Sequence, residues 1–557
     1  MSTIPAVSLG PVSSRKRGKN QLLCFVWAFL FVTGFARAGT ISGTVNGPDG
    51  APFKGAFVEA QNVKTKITFI VLSDPQGRYQ IENLLAGQYA VNIHAVGFKA
   101  DAHTGVDPDA QQTAPLDFSL QKAAVLWSDL SLYQGEILLP DLPGKTILMT
   151  PLVRNMNGLG SSATWRDSTC QVCHAFQNKM APWVRDEEGW RTRVEYMRNG
   201  LGAGSKMSPQ EEDVLVSYMA SLFGPKSILP QSPADDPKYK DTVHSFTDES
   251  LNIEYVEYDL PKPQRMPWSA VPDGKGSVWM PYKSSASAIA RLDPVTGDVR
   301  EFRVPNKGFT QIHSAFPAPD GSVWLAENGA PKKLGRWDPK TQEITEYPDT
   351  VGKHTVRVAS NGLVCSSGTI SLFDPKTKEY THFDKQPGAY GVVFDRENNC
   401  WFTQYDKGGM IGKIDTKTDQ LKMWATPTLK NGNDVYSRRI QIDPSGNVWF
   451  DESESGQIGR FDPKTETFKE YPLPGPMATP YAMNLDREGQ VWYASEYMDV
   501  FGRMDPKTGK TVEYPFPHSE NTSREFFLDA QGNMWYATPS NNKVGYFFLR
   551  PKTTAQK

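Results

Sequence analysis

Cys170-Gln171-Val172-Cys173-His174 places two thiols three residues apart, with an imidazole directly after the second. Thiols at this spacing can add to the two vinyl groups of a haem, and the adjacent imidazole can become the proximal iron ligand. One helical turn presents all three groups to one haem face. A zinc half-site or a thioredoxin-like CxxC uses the same spacing. Zinc needs two more ligands nearby, and no other Cys or His lies between Thr104 and Thr242. The motif therefore predicts one covalent haem c on Cys170, Cys173 and His174, with His174 on the iron. For the sixth ligand, the surrounding segment has no second His. Met180 follows His174 too closely to reach the opposite haem face. Met219 and Met197 fall on the core faces of helical patterns. Met207 ends a loop containing Gly200, Gly202 and Gly204, and is the preferred ligand, with Met197 next and an open iron site as the alternative. His/Met ligation raises the potential and favours electron transfer over oxygen chemistry.

Haem attachment of this kind takes place outside the cytoplasm, and the N-terminus agrees. Arg15-Lys16-Arg17-Gly18-Lys19 is followed by an apolar run of 14 residues, Leu22 to Phe35, and then by Ala36-Arg37-Ala38. This is the pattern of a secretory signal peptide over 1–38, and the run is short for a membrane span, although an uncleaved anchor remains the alternative. The expected location is periplasmic or secreted, with no membrane span after processing. The formal net charge of −2 carries no nucleic-acid or membrane-surface footprint. Cys365 and Cys400 remain outside the haem motif. An oxidising compartment permits a disulfide between them, and buried free thiols are the alternative.

These residues must be positioned by three domains, mainly β. From Gly39 to about Gln121, apolar and polar residues alternate between Gly-rich turns. Ile41–Val45, Ala56–Val58, Arg78–Ile81 and Tyr89–Ile93 read as strands. The pattern Gly43-x-Val45, Gly50-x-Pro52, Gly55-Ala56, Gly77-x-Tyr79, Leu85-x-Gly87-x-Tyr89 and Gly97-Phe98 resembles carboxypeptidase regulatory-like domains. That resemblance implies a small seven-stranded β-sandwich over 39–122, related to carbohydrate-binding-like folds. After a linker at 123–158, residues 159–226 resemble a class I c-type cytochrome, a small α-helical domain. Trp190, Val194, Met197 and Leu201 share a helical face, and Ser208-Pro209-Gln210-Glu211 opens a last helix with Ser as N-cap, Pro at N1 and Glu at N3. Val214, Leu215, Tyr218, Met219 and Leu222 give that helix its apolar face. A second linker spans 227–250.

From 251 to 550 the chain repeats, before a short tail at 551–557. Each unit runs apolar strand, Asp/Asn-Gly turn, Val-Trp, Ile-Gly-Arg-x-Asp-Pro-x-Thr, then Glu-Tyr-Pro. Trp279, Trp324, Cys365, Trp401, Trp449, Trp492 and Trp535 share one slot. Seven such units predict a seven-bladed β-propeller. The last unit lacks its outer strand and a spare one, Val256–Pro261, precedes the first, so that strand should close the ring. Eleven residues before each slot stand Trp268, His313, His354, Tyr390, Arg438, Tyr481 and Arg524, where each innermost strand begins. They should ring the mouth of the central channel as a ligand pocket. Three residues after each slot stand Tyr282, Glu327, Gly368, Gln404, Glu452, Ser495 and Thr538, expected near the same rim.

The repeats resemble the virginiamycin B lyase (streptogramin lyase) propeller family. That family pairs a histidine with a glutamate fourteen residues later on a divalent metal, with a second glutamate two residues before the histidine. His313 and Glu327 match the pair as candidate catalytic residues, whereas Gln311 stands where the second glutamate would be. The resemblance implies His313 as a general base in ester C–O elimination and Glu327 as a metal ligand. The leading expectation is an exported cytochrome whose propeller binds a small organic substrate or a partner, with a redox protein or small-molecule electron donor, as in a haem-dependent oxidoreductase. The alternatives are a carbon–oxygen lyase opening a cyclic ester, and a non-catalytic scaffold binding a carbohydrate or a partner.

Overall fold

The computed structural model describes residues 39–108, 115–149, 176–200, 208–306, 308, 310–329, 332–405, 409–433, 435–475 and 478–551. Segment 1–38, read as a signal peptide, and Cys170, Cys173, His174 and Met207 lie outside these residues.

The N-terminal domain is a β-sandwich. One sheet holds Gly39–Asn46 between Arg78–Leu84 and Phe118–Ser119, and the other holds Ile67–Leu72, Phe57–Asn62, Tyr89–His94 and His103–Val106 in that order. Ile67–Leu72 was not among the strands read from alternation, and the reason is physical. All six of its side chains are buried, because one face lies on the sandwich core and the other on the propeller. A strand covered on both faces loses the apolar/polar alternation.

The spare strand does close the propeller. Ile253–Asp259 pairs antiparallel with the last strand, Lys543–Leu549, across seven registered residues. Its other edge pairs with Ile67–Leu72. One eight-stranded sheet therefore runs from the innermost strand of the last blade to the edge of the sandwich. At the join, Glu257 is fully buried and accepts hydrogen bonds from His518 Nε2 at 2.6 Å and the Tyr536 hydroxyl at 2.8 Å. Lys543 Nζ stands 3.6 Å away. These partners outweigh desolvation and hold the Glu257 carboxyl down to about 2.

Blades 1, 2, 5 and 6 are four-stranded, and blades 3 and 4 share one six-stranded sheet because a single long strand, Glu379–Phe394, leaves one and enters the next. Cys365 in blade 3 and Cys400 in blade 4 form a disulfide. The repeat residues explain themselves locally. In five blades the slot tryptophan donates its indole N–H to an aspartate six residues earlier, as Trp449 to Asp443 at 3.0 Å and Trp535 to Asp529 at 2.9 Å. In the Ile-Gly-Arg segment, the glycine lies beneath an aromatic ring of the neighbouring strand. A Cβ on Gly459 would stand 2.2 Å from the Phe450 ring, and one on Gly502 would stand 2.0 Å from Tyr493.

Between sandwich and propeller, the span 123–158 read as a linker carries helices α1 (Leu132–Leu138) and α2 (Lys145–Met149). These pack with α3 (Phe176–Lys179), α4 (Glu187–Gly200) and α5 (Pro209–Phe223) into one apolar cluster that includes Tyr497 of blade 6. The α5 cap is as read: Ser208 Oγ accepts from Glu211 N at 3.2 Å, and Glu211 accepts from Ser208 N at 2.6 Å. Trp190, Val194, Leu215, Tyr218, Met219 and Leu222 are buried there, whereas Val214 is exposed. Helices are few among the described residues, and a separate cytochrome-type helical domain is not shown by them: they share their core with the span read as a linker and with Tyr497 of the propeller.

Candidate functional site at the propeller mouth

Each mouth residue sits where an innermost strand enters its blade, so the seven converge on one axis. Their contacts run around the ring. Trp268 meets His313 edge-on with centroids 5.0 Å apart, His313 lies 3.5 Å from His354, and His354 lies 3.9 Å from Tyr390. The Tyr390 and Tyr481 hydroxyls hydrogen-bond each other. Arg438 and Arg524 lie over the Tyr481 ring at 4.7 and 4.6 Å, and Arg524 reaches back over Trp268 at 5.2 Å. The structure therefore brings all seven together, and the ring closes on itself.

Four contributors were not read from the sequence. Tyr405 stacks on Tyr390, Lys283 lies over Trp268, and Arg439 lies beneath Tyr390 and Tyr481. Carboxylates form the fourth group: Glu496 of blade 6 pairs with Arg524 of blade 7, and Glu454 stands 3.9 Å from Arg438 within blade 5. Of these, only the Arg438-Arg439 doublet left a signal in the sequence. A strand normally turns one of two adjacent residues away from the axis, and here the second also reaches the channel.

Electrostatics follow from burial among cations. Desolvation, then His354, Lys283, Arg439 and Arg524, hold His313 well below the usual imidazole range. Desolvation, then Arg439 and Lys283, do the same to His354. Both imidazoles are neutral at physiological pH, able to donate from one nitrogen and accept at the other.

Two members of the second predicted ring, Glu327 and Glu452, do not join this one. Glu327 is fully buried, and neither of its carboxylate oxygens has a hydrogen-bond partner. It lies against Gly335, where a Cβ would stand 3.0 Å from Oε1, and its charged neighbours are Glu346 and Lys333 on the outer strands of its own blade. Desolvation and then Glu346 push its carboxyl up to about 8. Glu452, its equivalent in blade 5, is pushed up to about 9 by burial and Glu470. Both are carboxyl groups tucked between strands, not rim residues. Among the described residues, no hydrogen bond or ion pair joins His313 to Glu327, and no group of three His, Cys, Asp or Glu side chains could hold a metal. An imidazole ringed by cations and a carboxyl facing another way do not fit a divalent metal site.

Two spans of the chain are similar to known families. Residues 40–121 match the carboxypeptidase regulatory-like domain, and residues 375–555 match the virginiamycin B lyase family. The chain therefore carries a carboxypeptidase regulatory-like domain and a virginiamycin B lyase-like β-propeller. The second match begins at the end of blade 3 and leaves His313 and Glu327 outside it. Among solved structures, a streptogramin B lyase is 24% identical, with 55% of this chain and 100% of that one covered and a TM-score of 0.49. Virginiamycin B lyase from Staphylococcus aureus is 22% identical over 54% and 100%, with a TM-score of 0.48. The extracellular domain of a putative one-component system from B. thetaiotaomicron is 15% identical over 52% and 40%, with a TM-score of 0.39. No curated protein matches the chain.

Proposed function

We propose that this chain is an exported binding protein whose propeller mouth takes a small organic molecule with a π face and hydrogen-bond acceptors, and that a haem on Cys170, Cys173 and His174 serves it as a redox group. The observation that carries the binding half is the closed ring of indole, imidazole, phenol and guanidinium at the mouth. Such a ring offers stacking faces and fixed donors around one concave centre, the composition of small-molecule sites. Export is supported by the basic and apolar N-terminus and by the Cys365–Cys400 disulfide, which suits an oxidising compartment.

Two described features favour the haem. Gln177, three residues after His174, is fully buried, yet neither its amide nitrogen nor its oxygen has a hydrogen-bond partner. Such a side chain fits beside a large polar-edged group. Helix α3, which starts two residues after His174, is also fastened to the mouth end of blade 7. Asn178 Nδ2 donates to Asn541 Oδ1 at 3.2 Å, Asn178 N donates to Glu520 at 3.3 Å, and Lys179 Nζ donates to Ser540 O at 3.4 Å. When bound, the haem supplies one-electron transfer, with Met207 or Met197 as its proposed sixth ligand. The chain's own residues bind and orient the molecule at the mouth.

The test has two parts. Oxidised and reduced visible spectra of the purified exported protein should show a covalent haem band; its absence removes the redox half. Quenching of tryptophan fluorescence, to which Trp268 contributes, should saturate with a member of an aromatic-acid and phenol panel and be lost in Arg438→Gln. A flat response across the panel removes the binding half.

The lyase-like propeller favours a second reading, ring-opening elimination of a cyclic ester. Neutral His313 or His354 would take the proton next to the ester carbonyl. No step is assigned to a metal, because the donors do not fit one. Cleavage by wild type that His313→Ala and His354→Ala leave unchanged would end this reading.

A further inference from the structure

We propose that the central channel, below the mouth ring, carries a site for one small anion between the guanidinium groups of Arg357 and Arg439. Its occupant has the charge and size of chloride, or is the tip of a carboxylate entering from the mouth. With a free inorganic anion as the occupant, this site does not depend on what the mouth binds.

Arg357 enters the channel from blade 3, Arg439 from blade 5 and Glu525 from blade 7. Arg357 Nη2 donates to Glu525 Oε1 at 2.8 Å, and Arg439 Nη1 stands 3.5 Å from the same oxygen. Two buried guanidinium groups thus share one carboxylate. Arg439 and Glu525 are each more than nine-tenths buried, and Arg439 Nη2 is buried with no hydrogen-bond partner. Asp451 acts on Arg439 through charge, but no hydrogen bond from either guanidinium to it is present. Asp451 accepts from the backbone N–H groups of Arg438 and Arg439 and from the Ser453 hydroxyl at 2.6 Å. A buried guanidinium N–H left without a partner is costly, and a bound anion would supply the missing acceptor.

The space for that counter-ion exists. A cavity of about 10 Å³ is lined by Arg357, Arg439 and Glu525, with Val392, Ile440 and Met483 among its apolar walls. That volume holds about one water-sized particle and excludes a whole organic ligand. Both cations are held in place from the side. Arg357 lies between the rings of Phe316 at 4.8 Å and Phe527 at 5.2 Å. Arg439 lies under Tyr390 and Tyr481 at 5.2 and 5.3 Å and donates through Nε to the Arg524 carbonyl. The donors are therefore fixed before any anion arrives, so little ordering is lost on binding.

Crystals of the full chain grown in sodium bromide should show one anomalous peak between Arg357 and Arg439. In solution, Tm should rise with chloride at constant ionic strength when gluconate, too large for the cavity, is the replacement anion. Glu525→Gln removes the competing carboxylate and should tighten chloride binding by about tenfold or more. Arg439→Gln should abolish the bromide peak; should that variant not fold, the wild-type bromide map still decides. If benzoate soaked into bromide crystals seats its carboxylate at this point and expels bromide, the occupant is a ligand carboxylate and the site stands. Density no stronger than water in bromide and in benzoate, with a chloride-independent Tm, overturns the proposal. A failed fluorescence panel would remove the mouth reading and leave the bromide result untouched.

Discussion

The tryptophan slots and the mouth positions recur with the same period, eleven residues apart in each repeat, yet the two sets behave in opposite ways. The slot is filled by tryptophan in six blades, and in five of them the indole makes the same bond to the same aspartate. The mouth holds one tryptophan, two histidines, two tyrosines and two arginines, and each contacts a neighbour of a different kind. Sameness at a repeated position marks what every blade needs in order to fold. Variety confined to polar and aromatic types marks what the assembled ring presents. A propeller can vary the second because the first already sets the backbone.

The comparison breaks most visibly at the slot. Trp449→Ala removes a buried indole and its hydrogen bond to Asp443, and should cost about 3–5 kcal/mol of stability in denaturant unfolding. Binding at the mouth by the still-folded fraction should be unchanged; loss of binding out of proportion to unfolding would mean that slot and mouth are not separable.

Glu327 gives an effect of similar size, with a pH signature. Its carboxyl is raised to about 8, so between about pH 4.5 and 8 the unfolded chain ionises while the folded chain keeps its proton. Stability of the wild type should therefore fall as pH rises through that window. Glu327→Gln removes the penalty. It should match wild type below pH 4.5 and exceed it by about 4 kcal/mol near pH 8, read from thermal melts across pH. A variant less stable than wild type at pH 8 would show that the carboxylate serves as an ionised group after all.

The smallest stability effect belongs to the mouth. His354→Asn should change stability by about 1 kcal/mol or less, since the neutral ring hydrogen-bonds to the side chain of Thr355, Nδ1 to Oγ1 at 3.0 Å. Ligand-dependent quenching should nevertheless weaken about tenfold. Equal losses in binding and stability would make the mouth another structural slot.

Much of this was legible before folding. The seven units, the closing strand, the α5 cap and the mouth positions follow from periodicity, because a repeated strand order repeats the direction of every side chain. Ile67–Leu72 was not legible as a strand, because burial on both faces erases alternation. The Glu327 and Glu452 positions were misread as rim because counting along a strand gives its end but not which side the last residue faces. A bulge between Ile312 and Ser314 shifts register at that point and turns His313 to the axis independently of Glu327.

The sequence by itself determined the kinds of parts: a Cys-x-x-Cys-His motif, a sandwich, and seven blades with a polar, aromatic mouth. Each is written in local spacing, which the chain carries whether folded or not. Only the tertiary structure decided which parts touch. It joined sandwich and propeller through one shared strand, placed the helices on blades 6 and 7, paired Cys365 with Cys400, and set Arg357 and Arg439 on a single carboxylate. Those contacts join residues far apart in the chain, and no periodicity encodes them, because they arise from the closure of the ring.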